Sequence, residues 1–357
     1  MDKKICTSIV IFSFIVFGGY FLFVEKGVQV KTHAEYILFP GVYQVLETEE
    51  HKEWKQTSYK HLIPLYQYWS SNIQTATNTE DDITYEMILA MQEKEEEHVS
   101  EDLNQELVTT TPSNINLSVE KLRNFNYLVN HFYTVDSSTI VKNEDLNIDQ
   151  LLGKNMKVNL ESDGPKVLIY HTHSQESFID SIPGDANTSI VGMGAYLSEL
   201  LNAKGITTLH HNGVYDIING RLDRSEAYQM AEKSITQLLK QYPSIEVVID
   251  LHRDGVPENT HLVTNVNGKQ TAKIMFFNGL SRTKSNGDIG YLKNPYLQDN
   301  LAFSLQMKLK CEELYPGFAR RIYLRGYRYN LHLKPKSLLI EAGAQTNTVQ
   351  EMKNAMD

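Results

Sequence analysis

Three apolar runs, each followed at once by ionisable side chains, constrain the fold of this chain most strongly. They lie in VLIYHTHSQES (167–177), IEVVIDLHRDG (245–255) and SLLIEAG (337–343). An apolar run without alternating polar residues is typical of a strand that is covered on both faces, as in a parallel sheet. We therefore expect three buried strands, and we expect their carboxyl ends to form a ligand site at one edge of a sheet.

Helical and strand-like segments alternate around these three runs. GITTLHH predicts one more strand, Asn267-Gly268 between β-rich flanks predicts a hairpin, and RIYLRGYRYN is irregular or strand-like. Helices are expected over 122–132, 191–205, 224–241, 296–314 and 346–356. This alternation indicates an α/β fold, with a mixed, largely parallel sheet and helices on both faces, preceded by an N-terminal transmembrane helix.

The N-terminal run from Ile5 to Val24 holds twenty residues without a charge. Twenty helical residues span about 30 Å, which is the thickness of the hydrocarbon core of a bilayer. Lys3 and Lys4 precede the run, which favours an N-terminus in the cytoplasm and the body of the protein outside. A cleaved signal peptide is the alternative, but no small-x-small cleavage site follows the run, so we expect a retained anchor.

An acidic block separates the membrane-proximal part of the chain from the rest. Between Glu80 and Glu106, eleven Asp and Glu residues stand against one Lys, which accounts for the whole net charge of −10. Charge repulsion and low apolar content predict a flexible linker, and the near-neutral remainder does not favour nucleic-acid binding. The expected organisation is a cytoplasmic tail (1–4), an anchor (5–24), a membrane-proximal extracellular region (25–79), the acidic linker (80–114) and the main domain (115–357).

Several common kinds of site are absent from the sequence. Cys6 lies inside the apolar N-terminal run, so it does not pair with Cys311, and we expect Cys311 to be a small apolar filler. The motif G-x-S-x-G and the glycine-rich phosphate loops are missing. His210 and His211 close a strand with no carboxylate at ligand spacing, so we interpret them as structural.

The residues at the three expected strand ends match the donor set of a catalytic zinc site. Such a site commonly takes two His and one Glu, and it needs a general base beside its water. His173 and Glu176 form an H-x-x-E pair that with His252 supplies three ligands, and Glu341 supplies the base. His171 starts out on the same face of the strand as His173, so it can replace His173 as a ligand or support it from behind.

Two neighbours of His252 have alternative roles. Arg253 can hold a substrate carboxylate or the oxyanion of the transition state, or it can form a structural bridge with Asp254 or Glu341. Asp250 can orient a ligand imidazole from behind.

Five blocks, taken in chain order, carry a resemblance to a known family: LVNHFYTVDSSTI, IYHTHSQESF, IDLHRDG, NPYLQDNLAFSLQMKLKCEELYPGFARRIYL and RYNLHLKPKSLLIEAGAQTNTVQEM. Over residues 120–357, together with the single N-terminal anchor, the sequence resembles stage II sporulation protein P of endospore-forming bacteria. The resemblance implies a membrane-anchored, Zn²⁺-dependent N-acetylmuramoyl-L-alanine amidase, also with endopeptidase activity. It would act on peptidoglycan at the septum between mother cell and forespore during engulfment. The resemblance also implies a partner, the lytic transglycosylase stage II sporulation protein D, and a fold similar to other zinc muramoyl-alanine amidases.

The resemblance places the zinc ligands on the histidines of H-T-H-x-x-E, on Glu176 and on His252, and the catalytic glutamate on Glu341. It does not choose between His171 and His173, although the H-x-x-E spacing favours His173. A non-catalytic peptidoglycan-binding scaffold that recruits a partner hydrolase is the alternative from a different functional class. The complete set of ligand residues favours the enzyme.

Overall fold

The computed structural model describes residues 115–357. The expected cytoplasmic tail, transmembrane anchor, membrane-proximal region and acidic linker lie outside these residues and stay predictions. Within residues 115–357, none of the helices is both long and apolar enough to cross a bilayer.

Helices and strands alternate along residues 115–357, as the sequence predicts. The α-helices are α1 (Val119–Leu122), α2 (Phe125–Phe132), α3 (Ile148–Gly153), α4 (Ile190–Ala203), α5 (Ala227–Gln241), α6 (Leu297–Leu314) and α7 (Val349–Met356). The strands are β1 (Tyr133–Val135), β2 (Val167–Tyr170), β3 (Thr208–His210), β4 (Ile217–Ile218), β5 (Arg221–Leu222), β6 (Val247–Asp254), β7 (Val263–Val266), β8 (Lys269–Ala272), β9 (Ile274–Gly279), β10 (Arg282–Thr283), β11 (Gly287–Asp288), β12 (Ile322–Arg325) and β13 (Lys336–Ala344). Short 3₁₀ turns cover Ala186–Thr188, Gly290–Leu292 and Leu331–Leu333.

Side-chain caps set where three of the helices begin. Asn124 and Asn147 precede α2 and α3, and each accepts a hydrogen bond from a backbone N–H of the first turn. Thr348 forms a capping box with Glu351 at the start of α7. Because the first turn of a helix leaves N–H groups without intrahelical partners, these bonds favour starting the helices at these positions.

Seven strands form the central sheet, in the order β1-β12-β9-β13-β6-β2-β3. Every neighbouring pair is parallel except β9 and β13, which are antiparallel. The strands β1, β12 and β9 therefore run one way, and the other four run the opposite way. The expected mixed, largely parallel sheet is confirmed, with one reversal in it.

The predicted hairpin is formed by β7 and β8 around Asn267-Gly268. Both turn residues have a positive φ, 51° at Asn267 and 83° at Gly268, as the type I′ turn of a two-residue hairpin requires. The chain then continues from β8 into β9, which joins the central sheet. The sequence predicted the turn but not this third strand.

Helices cover both faces of the central sheet. Ile169 packs in one core cluster with Met193 of α4 and Leu305 of α6. Its neighbour Leu168 packs in another cluster with Ile235 of α5. Since successive residues of a strand point to opposite faces, α4 and α6 cover one face and α5 covers the other.

Cys311 lies on α6 and packs against the main core cluster as a free cysteine. Burial raises the pKa of its thiol to about 11. A thiol with so high a pKa is almost wholly protonated at neutral pH and is a poor nucleophile. This agrees with the interpretation of Cys311 as a small apolar filler.

Candidate active site

The strands β2, β6 and β13 lie side by side and parallel, so their carboxyl ends meet at one edge of the sheet. His252 on β6 and Glu341 on β13 are direct partners across the two strands. The segment with His171, His173 and Glu176 follows β2 directly. The structure thus gathers at one edge the residues that the sequence analysis selected there.

His173, Glu176 and His252 form a buried cluster at this edge, with 1%, 4% and 2% of their surfaces exposed. The rings of His173 and His252 meet edge to face, with their centroids 5.2 Å apart. Nδ1 of His252 lies 3.9 Å from Oε1 of Glu176. Two imidazoles and one carboxylate therefore converge in a place almost closed to solvent.

A second carboxylate, that of Asp250, contacts the ring nitrogen of His252 that does not face Glu176. Oδ1 of Asp250 lies 2.8 Å from Nε2 of His252, within the distance of an ion pair. Asp250 also accepts hydrogen bonds from the backbone N–H of Thr172 at 2.8 Å and from its hydroxyl at 2.6 Å. With Asp250 fixed at Nε2, the other ring nitrogen of His252 is directed towards Glu176. A carboxylate behind an imidazole is also how metal-binding histidines are oriented.

Charge pairing dominates the electrostatics of the cluster. Burial by itself lowers the pKa of His252, but the carboxylates of Asp250 and Glu176 outweigh burial and hold that pKa well above its usual value. Burial likewise raises the pKa of Glu176, yet the neighbouring His252, Arg253 and His173 bring it down to about 2. The two carboxylates thus favour a positive charge between them. A metal ion bound between them would supply such a charge, and its imidazole ligands would have to be unprotonated.

The ring nitrogens of His171 contact other groups than the rings and carboxylate of this cluster. Its Nδ1 is 2.7 Å from the carbonyl oxygen of Leu251, and its Nε2 is 2.9 Å from Nε2 of His210. The strand β2 ends at Tyr170, so the regular alternation of side chains stops before His173 is reached. Of the two histidines, it is His173 whose ring packs against the ring of His252.

The His171–His210 pair packs against Gly194 of α4. A Cβ at Gly194 would lie 2.5 Å from Nε2 of His171 and 2.7 Å from Nε2 of His210. We expect Gly194→Ala to lower the free energy of unfolding by about 1–3 kcal/mol because the buried rings must shift. This loss should appear even though alanine is favoured over glycine in a helix by about 1 kcal/mol. Urea denaturation of the full chain, followed by near-UV circular dichroism, measures the change.

Gly153→Ala is the matched control for this prediction. Gly153 lies in α3, and a Cβ there would have no heavy atom within 4 Å. We expect this control to be neutral or slightly stabilising. Equal losses in the two variants would contradict crowding at Gly194.

The guanidinium of Arg253 makes two contacts with backbone carbonyls at this edge. Its Nε donates to the carbonyl oxygen of Ser177 at 3.1 Å, and its Nη1 donates to the carbonyl oxygen of Asp254 at 3.2 Å. The carboxylate of Asp254 is bound instead by Nη1 of Arg320 at 2.6 Å. The guanidinium of Arg253 therefore fastens the loop after β2 to the end of β6, and it does so through backbone carbonyls rather than through the expected carboxylates.

Two side chains that the sequence analysis missed also face the cluster. The ring of Tyr228, in the first turn of α5, meets the ring of His173 edge to face, with centroids 5.7 Å apart. Nη2 of Arg224 lies 3.8 Å from Oε1 of Glu176. Arg224 lies in the loop that joins β5 to α5, and Tyr228 lies at the start of α5; no local pattern in the sequence indicates the path of this segment.

Residues 115–357 contain no group of three or more His, Cys, Asp or Glu side chains that could hold a metal ion as it stands. The chemistry of the donor set nevertheless suits zinc, because His173, Glu176 and His252 are the two imidazoles and one carboxylate of many catalytic zinc sites. The supporting contacts suit it too. Asp250 holds His252, and the backbone N–H of Arg253 donates to Oε2 of Glu176 at 2.8 Å. Zinc binding here needs the three donors to close further on one point.

Comparison with known proteins gives a match to one family. The family model described as stage II sporulation protein P matches residues 51–357. The curated protein named stage II sporulation protein P from Bacillus subtilis (strain 168) is 24% identical over 222 residues, which cover 55% of this chain and 52% of the relative. The chain thus spans about half the length of this curated relative.

Two solved structures are similar at low sequence identity. One is the apo form of the N-acetylmuramyl-L-alanine amidase Ami1 from Mycobacterium abscessus, with 14% identity, a TM-score of 0.30, and coverage of 54% of this chain and 94% of that chain. The other is Ami1 from Mycobacterium smegmatis, with 12% identity, a TM-score of 0.28, and coverage of 54% and 93%.

Proposed function

The chain belongs to the stage II sporulation protein P family, and from this membership and the candidate site we propose that it is a zinc-dependent N-acetylmuramoyl-L-alanine amidase. In this proposal it hydrolyses peptidoglycan during sporulation. It cleaves the amide between the lactyl group of the glycan and the first L-alanine of the stem peptide. The observation that carries the proposal is the buried cluster of His173, Glu176 and His252, with Glu341 across from His252 on the neighbouring strand.

In the proposed mechanism, His173, Glu176 and His252 would hold a zinc ion, which would supply Lewis acidity when bound. Glu341 takes a proton from the attacking water and returns it to the leaving amine. Asp250 keeps the imidazole of His252 in one orientation. The almost complete burial of the cluster strengthens each of these electrostatic interactions, since little water is present to screen them.

We also propose where the protein works. The uncharged run over residues 5–24 supports an anchor that holds the catalytic domain on the extracytoplasmic side of the membrane. The family supports a place at the septum between mother cell and forespore. The resemblance supports the lytic transglycosylase stage II sporulation protein D as a partner, which would cut glycan strands while this protein removes their peptides.

Digestion of purified sacculi by the zinc-loaded full chain tests the proposed reaction. We expect release of stem peptides that begin with a free L-alanine amine, and no release by a chain kept free of metal with a chelator. Mass spectrometry of the products identifies the cleaved bond. Cuts only within the stem peptide would indicate an endopeptidase. Protein bound to intact sacculi without any cleavage would indicate the non-catalytic scaffold and overturn the proposal.

A further inference from the structure

We infer that Arg224 is the receptor for a substrate carboxylate at this site. It would make the site select stem peptides whose second residue carries a free carboxylate over their amidated counterparts. The inference deepens the proposed function and rests on it for the class of substrate. The argument comes from the position of Arg224, its counter-ion and the chemistry of guanidinium groups.

Arg224 is a partly buried cation beside the proposed zinc ligands. Its side chain is 26% exposed, and Nη2 lies 3.8 Å from Oε1 of Glu176. Its Nε is buried and has no hydrogen-bond partner among residues 115–357. Arg253, which the sequence had suggested for this role, instead binds two backbone carbonyls. Arg224 is therefore the guanidinium that faces the cluster with donor groups still to satisfy.

Arg224 shares its counter-ion with the proposed metal site. Oε2 of Glu176 accepts the backbone N–H of Arg253, so Oε1 is the oxygen that faces both Nη2 of Arg224 and Nδ1 of His252. A metal ion on Oε1 would draw that charge away from the guanidinium. A partly buried cation that loses its anion is costly, so binding of a new anion is favoured.

Neighbouring acidic residues do not replace this anion. The carboxylate of Asp223 accepts hydrogen bonds from the backbone N–H of Ser225 at 3.0 Å and from its hydroxyl at 2.6 Å. Glu226, the other acidic neighbour in the chain, is exposed to solvent. An anion supplied by the substrate is the partner that the geometry favours.

The substrate proposed above carries such an anion close to the scissile bond. In a stem peptide, D-glutamate follows L-alanine and is linked through its side-chain carboxyl, so its α-carboxyl is either free or amidated. A guanidinium binds a carboxylate through two parallel N–H donors, whereas an amide presents only one acceptor oxygen and no charge. Arg224 would therefore distinguish the two forms one residue away from the cleaved amide.

Binding of product peptides to the zinc-loaded full chain tests the inference without relying on catalysis. The probes are L-Ala-γ-D-Glu-L-Lys and its counterpart with D-isoglutamine, and isothermal titration measures each Kd. We expect the wild-type chain to bind the carboxylate peptide about 10- to 100-fold more tightly, which is the usual strength of a charge-assisted hydrogen bond. We expect Arg224→Gln to remove this preference by raising the Kd of the carboxylate peptide alone.

Two further variants control the experiment. Arg224→Lys keeps the charge but loses the paired donors, so we expect it to retain part of the preference. Arg221→Gln removes an exposed arginine of β5, three residues before Arg224, and should leave both Kd values unchanged. Equal binding of the two peptides by the wild-type chain would overturn the inference. So would Arg224→Gln if it weakened the binding of both peptides equally.

The inference and the proposed function can fail separately. If the chain prefers the carboxylate peptide through Arg224 but releases nothing from sacculi, the inference about Arg224 stands and the proposed amidase activity is wrong. If the chain cleaves sacculi but binds both peptides equally, the proposed amidase activity stands and the inference about Arg224 is wrong.

Discussion

Glu341→Gln should reduce the release of stem peptides from sacculi by about 10²- to 10⁴-fold, which is the usual contribution of a general acid or base. Glutamine keeps the shape of the side chain but cannot take a proton from water at neutral pH. Glu341 is not one of the proposed ligands, so the zinc content of the variant should equal that of the wild-type chain. Mass spectrometry of the released peptides and atomic emission for zinc measure the two quantities on the same sample.

Glu313→Gln is the control for this variant. Glu313 is an exposed carboxylate of α6 that pairs with Lys310 at the surface, and its loss should leave both peptide release and zinc content unchanged. Near wild-type release by Glu341→Gln would remove the proposed base from the mechanism. Loss of zinc by Glu341→Gln would instead make Glu341 a ligand.

Replacement of single histidines should separate the ligands from the residue that only supports the fold. We expect His173→Ala and His252→Ala to lose the zinc and all measurable peptide release, because a three-ligand site that loses one ligand no longer holds the ion. We expect His171→Ala to keep the zinc, since both of its ring nitrogens contact Leu251 and His210 instead of the cluster. Atomic emission after dialysis of the full chain against metal-free buffer measures bound zinc.

His171→Ala also controls for damage to the fold, since it removes an imidazole as deeply buried as the other two. His252→Ala should be the least stable of the three without metal, because it leaves Asp250 and Glu176 as buried carboxylates without their counter-charge. Thermal unfolding of the metal-free proteins checks this order. Zinc lost by His171→Ala and kept by His173→Ala would reverse the assignment of the ligand.

The central part of the fold could be predicted from the sequence because its signals are local. Each of the apolar runs around Ile169, Ile249 and Leu339 became a buried strand, and the three strands are neighbours. The turn at Asn267-Gly268 was also predictable, since few other residue pairs accept two successive positive φ values. Because the carboxyl ends of neighbouring parallel strands meet at one edge of a sheet, the polar residues that follow these strands could also be predicted to lie together there.

The parts that the sequence did not predict depend on distant partners. The strand β1 has only three residues and pairs with β12, nearly two hundred positions later in the chain. The antiparallel pairing of β9 with β13 is likewise a choice between distant segments.

Within the site, the sequence could name the residue types but not all of their directions. The H-x-x-E spacing favours His173 over His171 as the partner of Glu176, but the different directions of the two rings depend on the end of β2 at Tyr170. Arg224 reaches Glu176 across a loop. Arg253, adjacent to His252 in sequence, directs its side chain to Ser177 instead. Proximity in sequence therefore favoured Arg253, whereas the contacts with Glu176 favour Arg224 for the proposed carboxylate receptor.

The position of β13 in the sheet has a consequence for the order in which the strands can join the sheet during synthesis. β13 follows the other twelve strands of residues 115–357 in the chain, yet it lies in the middle of the sheet between β9 and β6. A chain made from its N-terminus at about 5–20 residues per second exposes β9 and β6 as open edges until β13 arrives. Glu341 arrives on that same strand. Closing of the sheet and delivery of the proposed base are thus one event, so a nascent chain lacks part of the proposed site until its fold is closed.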